Sequence, residues 1–226
     1  MIAFKGHRFE KDIILTCVRW YLAYPLSYRN LEEMMEERGI GVDHSNICRW
    51  VQKFTPQLEA AFRKGRKRPV GKSWRMDETY IKIKGQWKYL YRAVDKEGQT
   101  IDFLLTAGRD KKAALRFLRK ATRQHGLPDK AAIDKSGANT AAIETLKEET
   151  GHAIEIRQIK YLNNLVEQDH RAVKRLVRPM PGFKTFNSAR RALRGIELTH
   201  MIKKGQMASG DSQDLSAAGQ FYSLAA

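Results

Sequence analysis

Hydrophobic and polar positions alternate with two different periods along the chain. From Lys11 to Tyr24, apolar residues recur at Ile14, Cys17, Val18 and Tyr21, the three- and four-residue spacing of a helix with one buried face. Pro25 closes that run. Ser27 stands where a helix N-cap belongs, Leu31, Met34 and Met35 follow on one face, and Gly39 supplies a left-handed stop. A "GIGV" turn leads into "DHSNICRWVQKF", where Ile47, Trp50, Val51 and Phe54 form the inward stripe. Ser45, Asn46, Arg49, Gln52 and Lys53 form the opposite, polar face. From Ser73 the period shortens to that of strands, with runs at Trp74–Lys84, Trp87–Asp95 and Thr100–Ala107. Their separators, "GQ" and "KEGQ", are short and contain Gly, which predicts two consecutive hairpins.

Helical and short apolar runs then alternate. "KKAALRFLRKATRQHG" predicts a helix stopped by Gly126, and "KAAIDKSG" a buried parallel strand ending at Asp134. A helix over 139–150, a strand in "HAIEIRQ", and helices over 164–178 and 188–204 follow. The tail from Gly205 is small and polar without a clear period, and is expected to be mobile. Three antiparallel strands followed by helix, strand, helix, strand, helix is the element order of a ribonuclease H-like α/β domain, a mixed sheet with flanking helices. The expected organisation is an all-α helix-turn-helix domain over 1–62, a basic linker over 63–72, the α/β domain over 73–205 and a flexible tail over 206–226.

Charge adds a partner class. Lys and Arg number 42 against 25 Asp and Glu, a net +17, which suits a polyanion such as nucleic acid. The excess is concentrated: six basic residues and no acid lie between Arg63 and Lys72, and twelve basic residues with three acids between Arg157 and Lys204. Basic ribosomal proteins share this property, so charge alone does not indicate an enzyme. In the linker, Arg66, Lys67 and Arg68 are candidates for lying along phosphate. Arg and Asn on the polar face of the third helix are residue types that reach guanine and adenine edges. The alternative is an ordinary three-helix bundle with a solvated face. No apolar run reaches the roughly 18 residues of a membrane span, and the first twenty residues hold no signal-peptide core. Cys17 and Cys48 lack CxxC spacing and are expected to be reduced thiols. These features predict a cytoplasmic protein.

The candidate chemistry is acidic. Asp77 lies in the first strand, where a buried carboxylate is costly unless it is paired or metal-bound. Asp134 ends a parallel strand, the place where open α/β sheets bind ligands. The helix "NNLVEQDHRAVKRLVR" offers Glu167 and Asp169. Leu165, Asp169, Val173 and Leu176 make one stripe of it, and Glu167, His170, Lys174 and Val177 another. Glu167 is the better third carboxylate, with Lys174 two turns away on the same face. Three converging carboxylates can hold two divalent ions for in-line phosphoryl displacement, and Mg²⁺, with Mn²⁺ as substitute, suits oxygen donors. Glu78, on the opposite face by strand alternation, is expected to be structural or exposed. His170 reads as an ordinary histidine or as a phosphate contact. Trp74, Trp87, Tyr89 and Tyr91 are expected to pack in the sheet rather than stack on bases.

The stretches "VDHSNICRWVQKF", "WRMDETYIKIKGQWKYLYRAVDKEGQTIDF", "RQIKYLNNLVEQDHRAVKR" and "GFKTFNSARRALRGIE" resemble the DDE transposases of bacterial insertion sequences, in particular family six, the group of insertion sequence twenty-six. The resemblance covers roughly residues 4–205. It implies that Asp77, Asp134 and Glu167 are the DDE triad holding two metal ions. It also implies that Lys174 is the basic residue seven positions beyond the glutamate. The helix-turn-helix is then expected to bind terminal inverted repeats, through Ser45, Asn46, Arg49, Gln52 and Lys53. The partners it implies are double-stranded transposon ends and target DNA, bound by a homodimer or higher oligomer associated with the bacterial nucleoid, and no membrane. Its chemistry would be strand cleavage by water and strand transfer by the freed 3′-hydroxyl, giving cointegrates. The separation of Asp134 from Glu167 is two residues shorter than is usual in that family. A non-catalytic DNA-binding regulator of the same fold, or a nuclease without strand transfer, are the alternative readings.

Overall fold

The computed structural model describes residues 2–64, 67–180, 182–208 and 215–225. Arg66, one of the expected phosphate contacts, lies outside them. The chain forms two compact units, Met1–Arg68 with Val173–Ala226, and Pro69–Ala172.

The first unit is helical. It contains α1 (Lys11–Ala23), α2 (Tyr28–Glu36) and α3 (His44–Arg63). Ser27 caps α2 by accepting from the Asn30 amide, and Asn30 returns the bond, so two N–H groups that a helix start leaves orphaned are satisfied. Asp43 caps α3 through the Ser45 amide, and Glu32 of α2 accepts from the backbone N–H of His44, which fixes the turn between the two helices. Ile14, Cys17, Val18, Leu31, Ile47, Val51 and Phe54 are fully buried among these helices, and Cys17 and Cys48 are both free thiols.

The later helices α7 (Phe186–Lys203) and α8 (Ala217–Ser223) belong to this same unit, where the sequence placed α7 with the sheet. α7 is apolar nearly all round at Leu193, Ile196, Leu198 and Ile202, a pattern that needs neighbours on several sides. Thr199 donates to the Leu22 carbonyl and Lys203 to the Ala23 carbonyl. Gly195 leaves room for Leu22 and Thr55, which a Cβ there would overlap. The expected flexible tail is corrected in its described part. α8 packs on α7 and α1, with Phe221 and Leu224 buried. The linker is also tied down. Arg68 donates its backbone N–H to Gln206 and its side chain to the Met207 carbonyl, and Lys67 bridges Met207.

The second unit holds β1 (Ser73–Ile83), β2 (Gln86–Asp95), β3 (Thr100–Thr106), α4 (Lys111–His125), β4 (Lys130–Ala132), α5 (Gly137–Thr150), β5 (Glu155–Arg157) and most of α6 (Lys160–Val177). The strand order is β3-β2-β1-β4-β5. β1, β2 and β3 are antiparallel neighbours, while β4 runs parallel to β1 and β5 parallel to β4. This is the order and sense of a ribonuclease H-like sheet. One face is covered by α4 and α5, whose Ala114, Phe117, Ala142 and Ile143 pack with Trp74, Met76, Tyr91 and Ala93. The other carries α6, where Asp169 accepts from Arg92 of β2 at 2.7 Å.

Candidate active site

Asp77 lies on β1, the strand where the sheet changes from antiparallel to parallel pairing. Asp134 follows β4 by two residues, and its carboxylate accepts from the Ser136 amide at 3.1 Å, a turn that opens α5. Strand alternation sends Asp77 toward the α6 face beside its cross-strand partner Arg92, and Glu78 toward the α4/α5 face beside Tyr91. Yet carboxylate oxygens of Asp77, Glu78 and Asp134 all lie within 4.8 Å of one another. Glu78 is therefore on the expected face but is not a surface residue. Its side chain is 2% exposed, against 19% for Asp77 and 37% for Asp134.

Two residues hold this cluster together, and both escaped the sequence reading. Arg109, in the segment between β3 and α4, forms ion pairs with Glu78 and with Asp134, the latter at 3.0 Å. Asn139, buried in the first turn of α5, donates to Glu78 at 3.2 Å and to Asp134 at 3.3 Å. Burial would lower the Arg109 pKa, but the Glu78 and Asp134 carboxylates outweigh it and raise the pKa above its ordinary value. Asn139 was visible in principle. It occupies the apolar stripe of α5 with Ala142, Ile143 and Leu146, where a buried amide needs polar partners. Arg109 is in a loop, where no periodicity marks it.

Burial, then the Glu78 carboxylate, raise the Asp77 pKa to about 7, aided by the charges of Asp134 and Glu167 and opposed by a hydrogen bond to the Glu78 backbone. Glu78 is raised too, first by burial, while Asn139 and Arg109 oppose the shift. Glu167 lies on the exposed side of α6, outside the tight cluster but close enough for its charge to be felt at Asp77. One turn on, His170 is buried with Nδ1 3.8 Å from Asp77.

The stripes of α6 differ from those expected, because Asn163, Val166, His170, Val173 and Leu176 are its buried positions. Asp169 is engaged with the buried Arg92 guanidinium. Removing one partner of such a pair leaves a buried charge and costs about 3–5 kcal/mol, so Asp169 has a structural task of its own. Lys174 is exposed in the last turn of α6.

The donors of the cluster are all carboxylate oxygens, the set that hard divalent cations prefer. A carboxyl whose pKa is raised by burial and by neighbouring like charges is relieved when a cation arrives. The residues present therefore fit divalent-metal binding.

The remaining expected DNA contacts lie on α3. Arg49 donates to the Ser45 carbonyl and hydroxyl and is exposed, and Asn46 is half-buried. Gln52 donates to the Ser188 carbonyl at 3.4 Å and accepts from Arg191 through its own carbonyl. Lys53 lies 2.9 Å from His7. The C-terminal part of the polar face is thus engaged within its own unit, whereas the Arg49 guanidinium bonds to Ser45 one turn back on its own helix.

Residues 71–206 match the family model of the DDE domain of IS240-type transposases. Among solved structures, a chain of the simian T-cell lymphotropic virus intasome, in complex with PP2A regulatory subunit B56 gamma, is similar at 16% identity and a TM-score of 0.46, covering 82% of this chain and 69% of that one. A Staphylococcus aureus transposase for the insertion sequence-like element IS431mec is 41% identical over 206 residues, 89% of this chain and 88% of that protein. The S. aureus transposase for IS257 in transposon Tn4003 is 40% identical over the same shares. With a DDE domain over most of the chain and relatives matched nearly end to end, the chain belongs to the DDE transposases of bacterial insertion sequences, within family six.

Proposed function

We propose that Asp77, Asp134 and Glu167 are the acid triad of this transposase, working with Mg²⁺, or Mn²⁺ in its place, on the terminal inverted repeats of its element. The observation that carries the reading is the convergence of Asp77 and Asp134, from adjacent parallel strands, within 4.8 Å. Glu167 contributes from the rim, where a helix above the sheet can adjust its side chain to ligand or substrate. When bound, divalent ions would activate a hydroxyl nucleophile and stabilise the leaving oxygen.

The chain's own residues supply the rest. Asp77, raised toward neutrality by its surroundings, gives up its proton as cations bind. Arg109 and Asn139 keep Asp134 and Glu78 in place, so the carboxylates do not have to be ordered during the reaction. Lys174, in the last turn of α6, is suited to a phosphate as a point charge. Strand cleavage by water would release a 3′-hydroxyl, and that hydroxyl would attack target DNA, giving a cointegrate. The α3 surface around Ser45, Asn46 and Arg49 would read the repeat, and holding two ends together calls for at least a homodimer.

The test is a cleavage assay on a linear duplex ending in the element's inverted repeat. The full chain with Mg²⁺ is expected to nick at the repeat terminus and to leave DNA intact in EDTA. Specific repeat binding without metal-dependent nicking would instead make the chain a DNA-binding regulator.

A further inference from the structure

The sequence placed Trp87 inside the sheet, and the structure moves it out. Trp87 is 59% exposed and Tyr80 49%. Both lie on the hairpin of β1 and β2, on one face, where the register pairs Glu78 with Tyr91, Tyr80 with Tyr89, and Lys82 with Trp87. Tyr80 packs edge-on against Trp87 at 6.2 Å between centroids and tilted against Tyr89 at 5.3 Å. The Lys82 ammonium lies over the Trp87 ring at 5.8 Å. On the other face of the same hairpin, Ile81 and Ile83 are buried, so the strands are anchored and the aromatic side is left to water. A cluster of exposed rings is unfavourable on a soluble surface and marks an interaction site.

Charge says what the site takes. Between Thr79 and Tyr91 the chain carries Lys82, Lys84 and Lys88 and no acid, which suits a polyanion. Aromatic faces interleaved with lysines suit nucleic acid whose bases are unstacked, because a duplex keeps its base faces covered. Position supports the same reading. Glu78, of the acid cluster, is two residues from Tyr80 on the same face, roughly 7 Å along the strand. Tyr80 also contributes to the field around Arg109, which binds Glu78 and Asp134. Of the carboxylates, Asp77 is recessed, only 19% exposed, while Asp134 lies nearer the surface at 37%. A phosphate reaches them more readily from a frayed strand than from a closed duplex.

We propose that the exposed face of the β1–β2 hairpin is a second DNA-binding surface, on which bases of an unpaired DNA strand stack beside the acid centre. This rests on Asp77 and Asp134 being that centre. Stacking tolerates every base, so the surface would hold a strand without reading its sequence.

The experiment is fluorescence anisotropy of the full chain, in EDTA, with a labelled single-stranded oligonucleotide unrelated to the terminal repeat and with its blunt duplex. Trp87→Ala and Tyr80→Ala are expected to weaken single-strand binding roughly 5- to 100-fold each, with duplex affinity and melting temperature nearly unchanged. Trp87→Phe should retain most of the affinity, since a ring face remains. Lys82→Gln should flatten the salt dependence on the single strand. Equal losses on single strand and duplex in Trp87→Ala would overturn stacking. So would unchanged single-strand affinity accompanied by loss of a dimer in sedimentation, which would make the patch a contact between copies. Because no metal is present, failure here is separable from failure of the acid-centre reading: cleavage lost in Asp77→Asn with binding unchanged in Trp87→Ala would remove the platform and leave the centre.

Discussion

Asp77 poses the main question at the scale of single residues. A strand carboxyl that is 19% exposed and raised to about 7 opposes folding when it is ionised and no metal is bound. The folded state holds that proton more tightly than an unfolded Asp, whose pKa is about 3.9. The stabilising contribution is therefore complete below about pH 4 and is lost as pH rises toward 7, on the order of 4 kcal/mol. Metal-free protein should thus melt at progressively lower temperature from pH 5 to pH 8. Mg²⁺ should restore much of that loss at pH 8 and change little at pH 5. Asp77→Asn should flatten both trends, and melting curves across this range are the check; an unaltered slope in Asp77→Asn would place the titrating group elsewhere. The placement of Asp77 on a strand and of Asp134 just beyond one was legible because strand ends and strand periods are local patterns. The burial of Glu78 was not, since it depends on Arg109 and Asn139 arriving from other elements.

At the scale of elements, most boundaries followed from period and punctuation. The β1–β2 hairpin, the α4 stop at Gly126 (φ 73°) and the Ser27 capping box are set by neighbouring residues. α6 was read less well. Its Asn163 and His170 are buried and its Leu165 only partly so, because ion pairing with Arg92 and contact with Asp77 set which side faces the sheet, and hydropathy does not register either. α3 shows a similar limit. Its polar face looked uniform, but Gln52 and Lys53 meet Ser188 and His7, leaving the N-terminal half freer. Arg49→Ala is therefore expected to cost about 1–3 kcal/mol in binding the terminal repeat while leaving binding to scrambled DNA nearly intact. Gel-shift titrations on both duplexes decide this, and equal losses would remove Arg49 from base reading.

For the whole molecule, the difference between expected and observed organisation has consequences. The sequence suggested a helix-turn-helix domain over 1–62, but α7 completes its core against Leu22 and Thr55, and α8 packs on α7 and α1. Contacts so distant in sequence leave no local trace. A fragment of residues 1–72 should consequently show no cooperative thermal transition, whereas the full chain should; calorimetry compares them, and a sharp transition in the fragment would restore the simpler division. The central claim is that Asp77, Asp134 and Glu167 act as one metal-dependent centre. Its most direct measurement is the rate of strand transfer from pre-cut repeat ends in Mg²⁺, at saturating DNA, for Asp77→Asn, Asp134→Asn, Glu167→Gln and their combinations. Each single variant is expected to abolish transfer while retaining end binding, and the doubles should be no worse than the singles, since such a centre fails as a unit. Near-normal transfer by any one of the three single variants would contradict the triad.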